Sequence, residues 1–176
     1  AVWQGLDNRF WANYGTNDGY SASSLVASHG GVFNAYKVQY VDVNGDGAED
    51  MIYHGDDNRF WLSTSNGREF VNPTLCASHG GPVHLDAVQY ADINGDGKKD
   101  MIYHGIDNRF WISQSKGDSF GGAYFASQHG GAFDTSKVKY ADFDGDGKID
   151  YFATRGHGLG ALWFKGPGFE PIEVDS

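Results

Sequence analysis

The chain has 176 residues, enough for one domain with a real core, and its 40% hydrophobic content, 15% aromatics and 26 glycines fit a globular β protein rich in tight turns. A formal net charge of −10 argues against nucleic acid, whose phosphates require clustered Lys and Arg, and no run of 18 apolar residues exists to insert into a membrane. Cys76 stands alone, which excludes an internal disulfide, and the lack of an apolar leader at Ala1 means either no secretory signal or one already removed.

The chain is an array. Units 1–50, 51–100 and 101–150 align without a gap, and a remnant, 151–176, covers half a unit more. Periods of 40 to 50 residues with strand-like content point to propeller blades, none of which buries its faces without neighbours.

In chain order, each unit opens on a β-rich run, MIYHG in the later copies (Met51 to Gly55, Met101 to Gly105). A turn carrying Asp-Asn-Arg follows, and FWLSTS (Phe60 to Ser65) returns as the next strand. NGRE (Asn66 to Glu69) then turns with an Asn-Gly hairpin signal, and FVNPTLCAS (Phe70 to Ser78) makes a further strand. A His-Gly-Gly crossover leads to VQYADI (Val88 to Ile93), which alternates and runs into an acidic loop. No segment keeps a 3.6-residue period.

The predicted fold is therefore all-β: a β-propeller-like array of four-stranded antiparallel blades with calcium loops, about four per chain, forming one repeat domain over 1–176. Within a blade the order is strand A, acidic loop, B, Asn-Arg turn, C, Asn-Gly turn, D, crossover. Alternate connections of such a meander lie at opposite ends, so the acidic loop and the C-to-D turn share one end, and the Asp-Asn-Arg turn and the crossover share the other. The first unit begins at strand B, giving three strands, then four, four and four. That unpaired edge leads to the expectation of a homodimer.

The acidic loop recurs as DVNGDGAED (Asp42 to Asp50), DINGDGKKD (Asp92 to Asp100) and DFDGDGKID (Asp142 to Asp150). Oxygen-bearing side chains at positions 1, 3, 5 and 9, with glycines between, are how a short loop wraps a hard cation that takes six to eight oxygens. Twelve such positions hold ten Asp and two Asn, which accounts for much of the net charge and implies three Ca2+ per chain. A metal-free surface of Asp-Gly turns is the alternative.

Two further motifs recur three times. Asp7, Asn8 and Arg9, Asp57, Asn58 and Arg59, and Asp107, Asn108 and Arg109 each precede Phe and then Trp11, Trp61 or Trp111. Asp and Asn can exchange hydrogen bonds with vicinal hydroxyls, Arg adds a rigid donor fork, and Trp supplies a flat apolar wall, the needs of a shallow sugar site. The competing reading is a capped hairpin with a solvated Arg and a Trp that belongs to the core between blades. His29, Gly30 and Gly31, His79, Gly80 and Gly81, and His129, Gly130 and Gly131 are either glycine-permitted crossovers or sugar contacts on the same rim. Tyr53, Tyr103, Trp3, His54 and His104 read as core. No nucleophile elbow, Cys-His spacing or asymmetric carboxylate pair appears, so an enzyme is not expected.

The loop D-x-[ND]-x-D-G-x-x-D running directly into a strand resembles the FG-GAP repeat of integrin-type propellers. The sequence from HGG through KVQYVDVNGDG to FWLSTSNG is similar to the fungal lectin version of that repeat, of the Psathyrella velutina and oyster mushroom (Pleurotus) lectin kind. The resemblance covers essentially the whole chain. It implies as metal ligands Asp42, Asn44, Asp46, Asp50 and the carbonyl of Ala48; Asp92, Asn94, Asp96, Asp100 and the carbonyl of Lys98; and Asp142, Asp144, Asp146, Asp150 and the carbonyl of Lys148. It also implies a calcium-containing lectin for galactose, N-acetylgalactosamine or N-acetylglucosamine, binding glycans or glycoproteins outside the cell or at its surface. The other class is an integrin-like adhesion or scaffold module. Repetition favours the lectin, because a sugar site is copied with its repeat whereas a protein interface draws on differences between blades.

Overall fold

The computed structural model describes residues 1–5, 9–28, 38–55, 59–71, 73–78, 88–105, 109–128, 138–142, 145, 149–154, 161–165 and 170–173. It is an all-β array of antiparallel sheets. The first sheet has three strands in the order β1 (Val2–Gln4), β2 (Arg9–Ala12) and β5 (Ser24–Ser28). The second has four, β6 (Val38–Val41), β7 (Asp50–His54), β8 (Arg59–Ser63) and β9 (Thr74–Ser78). The third holds β10 (Gln89–Ala91), β11 (Asp100–His104), β12 (Arg109–Ser113) and β13 (Tyr124–Gln128). The fourth holds β14 (Lys139–Ala141), β15 (Asp150–Thr154), β16 (Ala161–Lys165) and β17 (Glu170–Glu173). Among the described residues no helix is long and apolar enough to cross a membrane.

The chain divides into two compact units, Ala1–Asp42 with Asp46–Ser78, and Val43–Gly45 with His79–Ser176. In the first, Phe10, Ala12 and Val26 of sheet one pack with Met51 of sheet two, and Val38 and Phe70 close around them. In the second, Ile102, Phe110, Ile112 and Ala126 of sheet three pack with Val138, Tyr140 and Ile149 beside sheet four. Each sheet must be covered on both faces for this to work, and β7 and β11, both Asp-Met-Ile-Tyr-His, are buried along their whole length. That is why these strands read as unbroken apolar runs rather than alternating ones.

In the first three sheets strands C are β2, β8 and β12, and here the alternation is visible. Phe60 and Leu62 are buried on one face, while Arg59 is exposed and Trp61 half-buried on the other. Each of these three meets its D strand through a β-bulge, whereas β16 and β17 of the fourth sheet pair in unbroken register. Phe10 faces Ala27 but Trp11 faces Leu25, Phe60 faces Ala77 but Trp61 faces Leu75, and Phe110 faces Ser127 but Trp111 faces Phe125. The extra residue, Val26, Cys76 or Ala126, is turned into the core, which is what a bulge does for a side chain that strict alternation would aim elsewhere.

Two features depart from the sequence reading. Strand D of the second unit starts at Thr74 rather than Phe70, because Pro73 has no N–H for the ladder and Phe70 instead bridges Ser65 and donates its N–H to the Val26 carbonyl at 2.8 Å. The first unit also carries a small hairpin, β3 (Gly15–Thr16) with β4 (Gly19–Tyr20). Its Gly15 to Tyr20 pair matches the Ser65 to Phe70 bridge, and Thr16 with Gly19 adds one rung.

His54 and His104 are buried and meet Phe60 and Phe110 edge-on at 4.7 and 4.9 Å. Tyr53 and Tyr103 are buried as well.

Candidate functional site

The acidic loops are built around their first carboxylate. Asp92 Oδ1 accepts the amides of Gly95 at 2.7 Å and Asp96 at 3.1 Å, and its Oδ2 accepts that of Gly97 at 2.8 Å. Asp42 takes the amides of Asp46 and Gly47 in the same way, at 3.2 and 2.9 Å, and Asp142 takes that of Gly145 at 2.7 Å. The fifth residue then caps the next bend: Asp46 Oδ1 accepts from Ala48 N at 2.8 Å and Asp96 Oδ1 from Lys98 N at 2.9 Å. The Lys98 amide holds the Asp96 carboxyl below its ordinary range, with Asn94 and the Lys98 ammonium adding to the effect.

Glycine is required at the fourth position of these loops. Gly45 sits at φ +78, and a Cβ there would come within 3.1 Å of the Gly97 carbonyl oxygen.

The ninth residue turns inward. Asp100 is fully buried; its Oδ1 accepts from Ser115 N at 2.8 Å and its Oδ2 from Ile93 N at 3.2 Å. Burial pushes its carboxyl up; the two amides oppose this, and the charges of Asp96 and Asp92 add to the rise. Asp50 is likewise buried and accepts from Ser65 N at 2.8 Å. These bonds tie the acidic loop to the C-to-D turn, so the two share one end of the sheet. Ser115 Oγ adds a bond to the Val43 carbonyl at 2.7 Å and itself accepts from Gly117 N at 3.0 Å.

Whether these residues suit a divalent cation is decided by their chemistry. Hard oxygens are supplied by Asp42, Asn44 and Asp46 and by Asp92, Asn94 and Asp96, and the like-charge repulsion felt at Asp100 is what a cation would relieve. Among the described residues, no three acidic or histidine side chains converge closely enough to cage an ion. The donors are of the hard-oxygen kind that calcium takes, but in this arrangement the carboxylates are turned onto loop amides. Asp144, Asp146 and Lys148 lie outside the described residues.

At the B-to-C end, three hairpins are closed identically. Gly5, Gly55 and Gly105 donate their N–H to the carbonyls of Arg9, Arg59 and Arg109 at 2.7, 2.8 and 2.9 Å. Each Arg is exposed at the first position of its C strand, and Trp11, Trp61 or Trp111 follows two residues on, along the same strand face and half-buried. The partners expected inside the hairpins (Asp7, Asn8, Asp57, Asn58, Asp107 and Asn108) lie outside the described residues, as do His29, Gly30, Gly31, His79, Gly80, Gly81, His129, Gly130 and Gly131. What is brought together is a guanidinium and an indole, three times over.

Sequence reasoning missed the residue that faces each indole. Leu25, Leu75 and Phe125 lie opposite Trp11, Trp61 and Trp111 and are 47%, 49% and 52% exposed. A bulge placed them there, and no local signal in the D strands marks it.

The family model of FG-GAP-like repeats matches residues 42–103 and 92–153. No curated protein matches the chain by sequence. Among solved structures, the fold is similar to that of an Agrocybe aegerita lectin specific for non-reducing terminal N-acetylglucosamine (TM-score 0.76, 21% identity, 95% of this chain and 46% of that one). It is also similar to part of the Photorhabdus luminescens Tc holotoxin pore (TM-score 0.69, 21% identity, 92% of this chain and 8% of that one). The chain thus spans less than half the length of the lectin and under a tenth of the toxin chain.

Proposed function

Because the chain belongs to the family of FG-GAP-like repeats, we propose that it is a multivalent carbohydrate-binding protein, a lectin whose three Arg-Trp hairpins each take a sugar. The observation that carries this reading is the threefold recurrence of an exposed Arg and a half-buried Trp on one strand face, behind a hairpin closed by the same Gly-to-Arg bond. A guanidinium offers a fixed donor fork to ring hydroxyls, and an indole offers a wall to the C–H face of a pyranose. The fold it shares with a lectin for terminal N-acetylglucosamine supports the same class of ligand. N-acetylglucosamine, galactose and N-acetylgalactosamine are the sugars we put forward, presented on glycans outside the cell or at its surface.

Calcium in the acidic loops acts in this reading as a structural ion, bound at the end of the second, third and fourth sheets away from the B-to-C turns and neutralising carboxylates there. Three weak sites on one chain then gain by linkage, roughly 10² to 10⁴ in apparent affinity on a dense glycan surface. Calorimetric titration with a monovalent glycoside tests the assignment. Arg59→Ala should lower the number of sites from three to two at unchanged calcium content, and an unchanged stoichiometry would contradict it.

We also propose that two copies associate, which would set the sugar sites of both on one assembly. Sedimentation equilibrium at micromolar concentration should give a dimer, and a monomer would overturn this.

A further inference from the structure

The three hairpins are alike in sequence, yet the surface beside them is not. Across each C-to-D pair the indole faces one side chain, and that side chain is Leu25, Leu75 and then Phe125. The bulge turns Val26, Cys76 and Ala126 into the core and so leaves these neighbours outward, each about half exposed. In the third unit the result is an aromatic corner: the Phe125 ring meets Trp111 edge-on, 6.1 Å between centroids and 80° between planes.

Arg109 completes the corner. It stands two residues before Trp111 on the same face of β12 and is exposed, so the guanidinium stem and the indole are roughly 7 Å apart along the strand, about the reach of one sugar ring. A pyranose presents polarised C–H bonds on one face and hydroxyls at its rim. The electron-rich face of an aromatic ring attracts those C–H bonds, whereas a leucine offers contact area alone.

We propose that Phe125 is a specificity-determining residue that makes the third site the tightest of the three, its ring and that of Trp111 holding the C–H face of a terminal hexopyranose while Arg109 takes the hydroxyls. This rests on the carbohydrate reading above. An aromatic wall in place of an aliphatic one is worth roughly threefold to tenfold in Kd, so the intact protein carries one stronger site and two weaker, similar ones.

The test uses the whole chain in calcium-containing buffer, with methyl β-N-acetylglucosaminide and methyl β-galactoside as probes and tryptophan fluorescence and calorimetry as readouts. Phe125→Leu copies the residue already present in the other units and leaves the bulge and core untouched. It should remove the tight class and leave three equal sites. Leu75→Phe, the reciprocal change, should raise the tight class from one site per chain to two. Sugar binding with three equal sites in the unaltered protein, or binding that Phe125→Leu leaves unchanged, overturns the inference and keeps the carbohydrate reading. Absence of any binding of either glycoside, and of methyl β-N-acetylgalactosaminide, at millimolar concentration overturns both.

Discussion

The buried carboxylate of Asp100 accepts the backbone amide of Ser115 at 2.8 Å, which fastens the end of an acidic loop to the turn between β12 and β13 of the same sheet. Asp50 and Ser65 repeat it one unit earlier, at the same distance. The last aspartate of the loop is therefore a structural tie in its own right, before any metal is considered.

Removing that tie should be costly without metal. Asp100→Ala leaves the amides of Ser115 and Ile93 without their acceptor, and a buried bond to a charged group is worth about 1.5–3 kcal/mol. We expect a loss of about 2–4 kcal/mol from the pair of bonds, read by urea denaturation in chelator so that calcium plays no part. An unchanged midpoint would show that the loop and the turn are held by something else.

Calcium should stabilise the folded chain. Carboxylates crowd the loops; burial first, and then the charges of Asp96 and Asp92, raise the Asp100 carboxyl. A cation that binds only the folded state adds about 2.7 kcal/mol at a hundredfold excess over its Kd. Thermal unfolding should shift upward as calcium is titrated in, with three ions per chain at saturation. A melting temperature that is flat from metal-free to millimolar calcium would contradict the loop assignment.

Much of this was legible in the residues. The 50-residue period, the Asn-Gly turn at Asn66 and Gly67, and the strand order all followed from repeated motifs, and Gly67 takes the positive φ of +84 that such a turn needs. The bulges were not legible, because Leu25, Val26 and Ala27 are all apolar and only the register tells which faces the core. Nor was the second duty of Asp50 and Asp100, since ligand spacing and a buried tie to a distant amide call for the same residue. The extra rung of the β3 and β4 hairpin follows from Gly19 standing where the next unit has Glu69, a change visible in sequence whose consequence is a matter of backbone freedom.

Cys76 should be inert. It is turned into the core by its bulge, its thiol donates to the Phe60 carbonyl at 3.2 Å, and burial pushes its pKa from 9.0 to about 12. The folded chain keeps a proton that the unfolded chain gives up, so this contribution to stability is full below pH 9.0 and is lost as pH rises toward about 12. A disulfide reagent at pH 8 should label the denatured protein and leave the native protein unlabelled over the same period. Rapid native labelling would contradict the packing described here.

The central claim is that three repeated Arg-Trp hairpins bind sugar on a scaffold that calcium stabilises. The most direct measurement is binding of the intact protein to an array of glycans ending in N-acetylglucosamine, galactose or N-acetylgalactosamine, with calcium and with chelator, beside a variant carrying Arg9→Ala, Arg59→Ala and Arg109→Ala together. Retention on at least one of these glycan classes in calcium, weakened by chelator and abolished in the triple variant, is the predicted result. Failure to bind any glycan, or full binding by the triple variant, would contradict it.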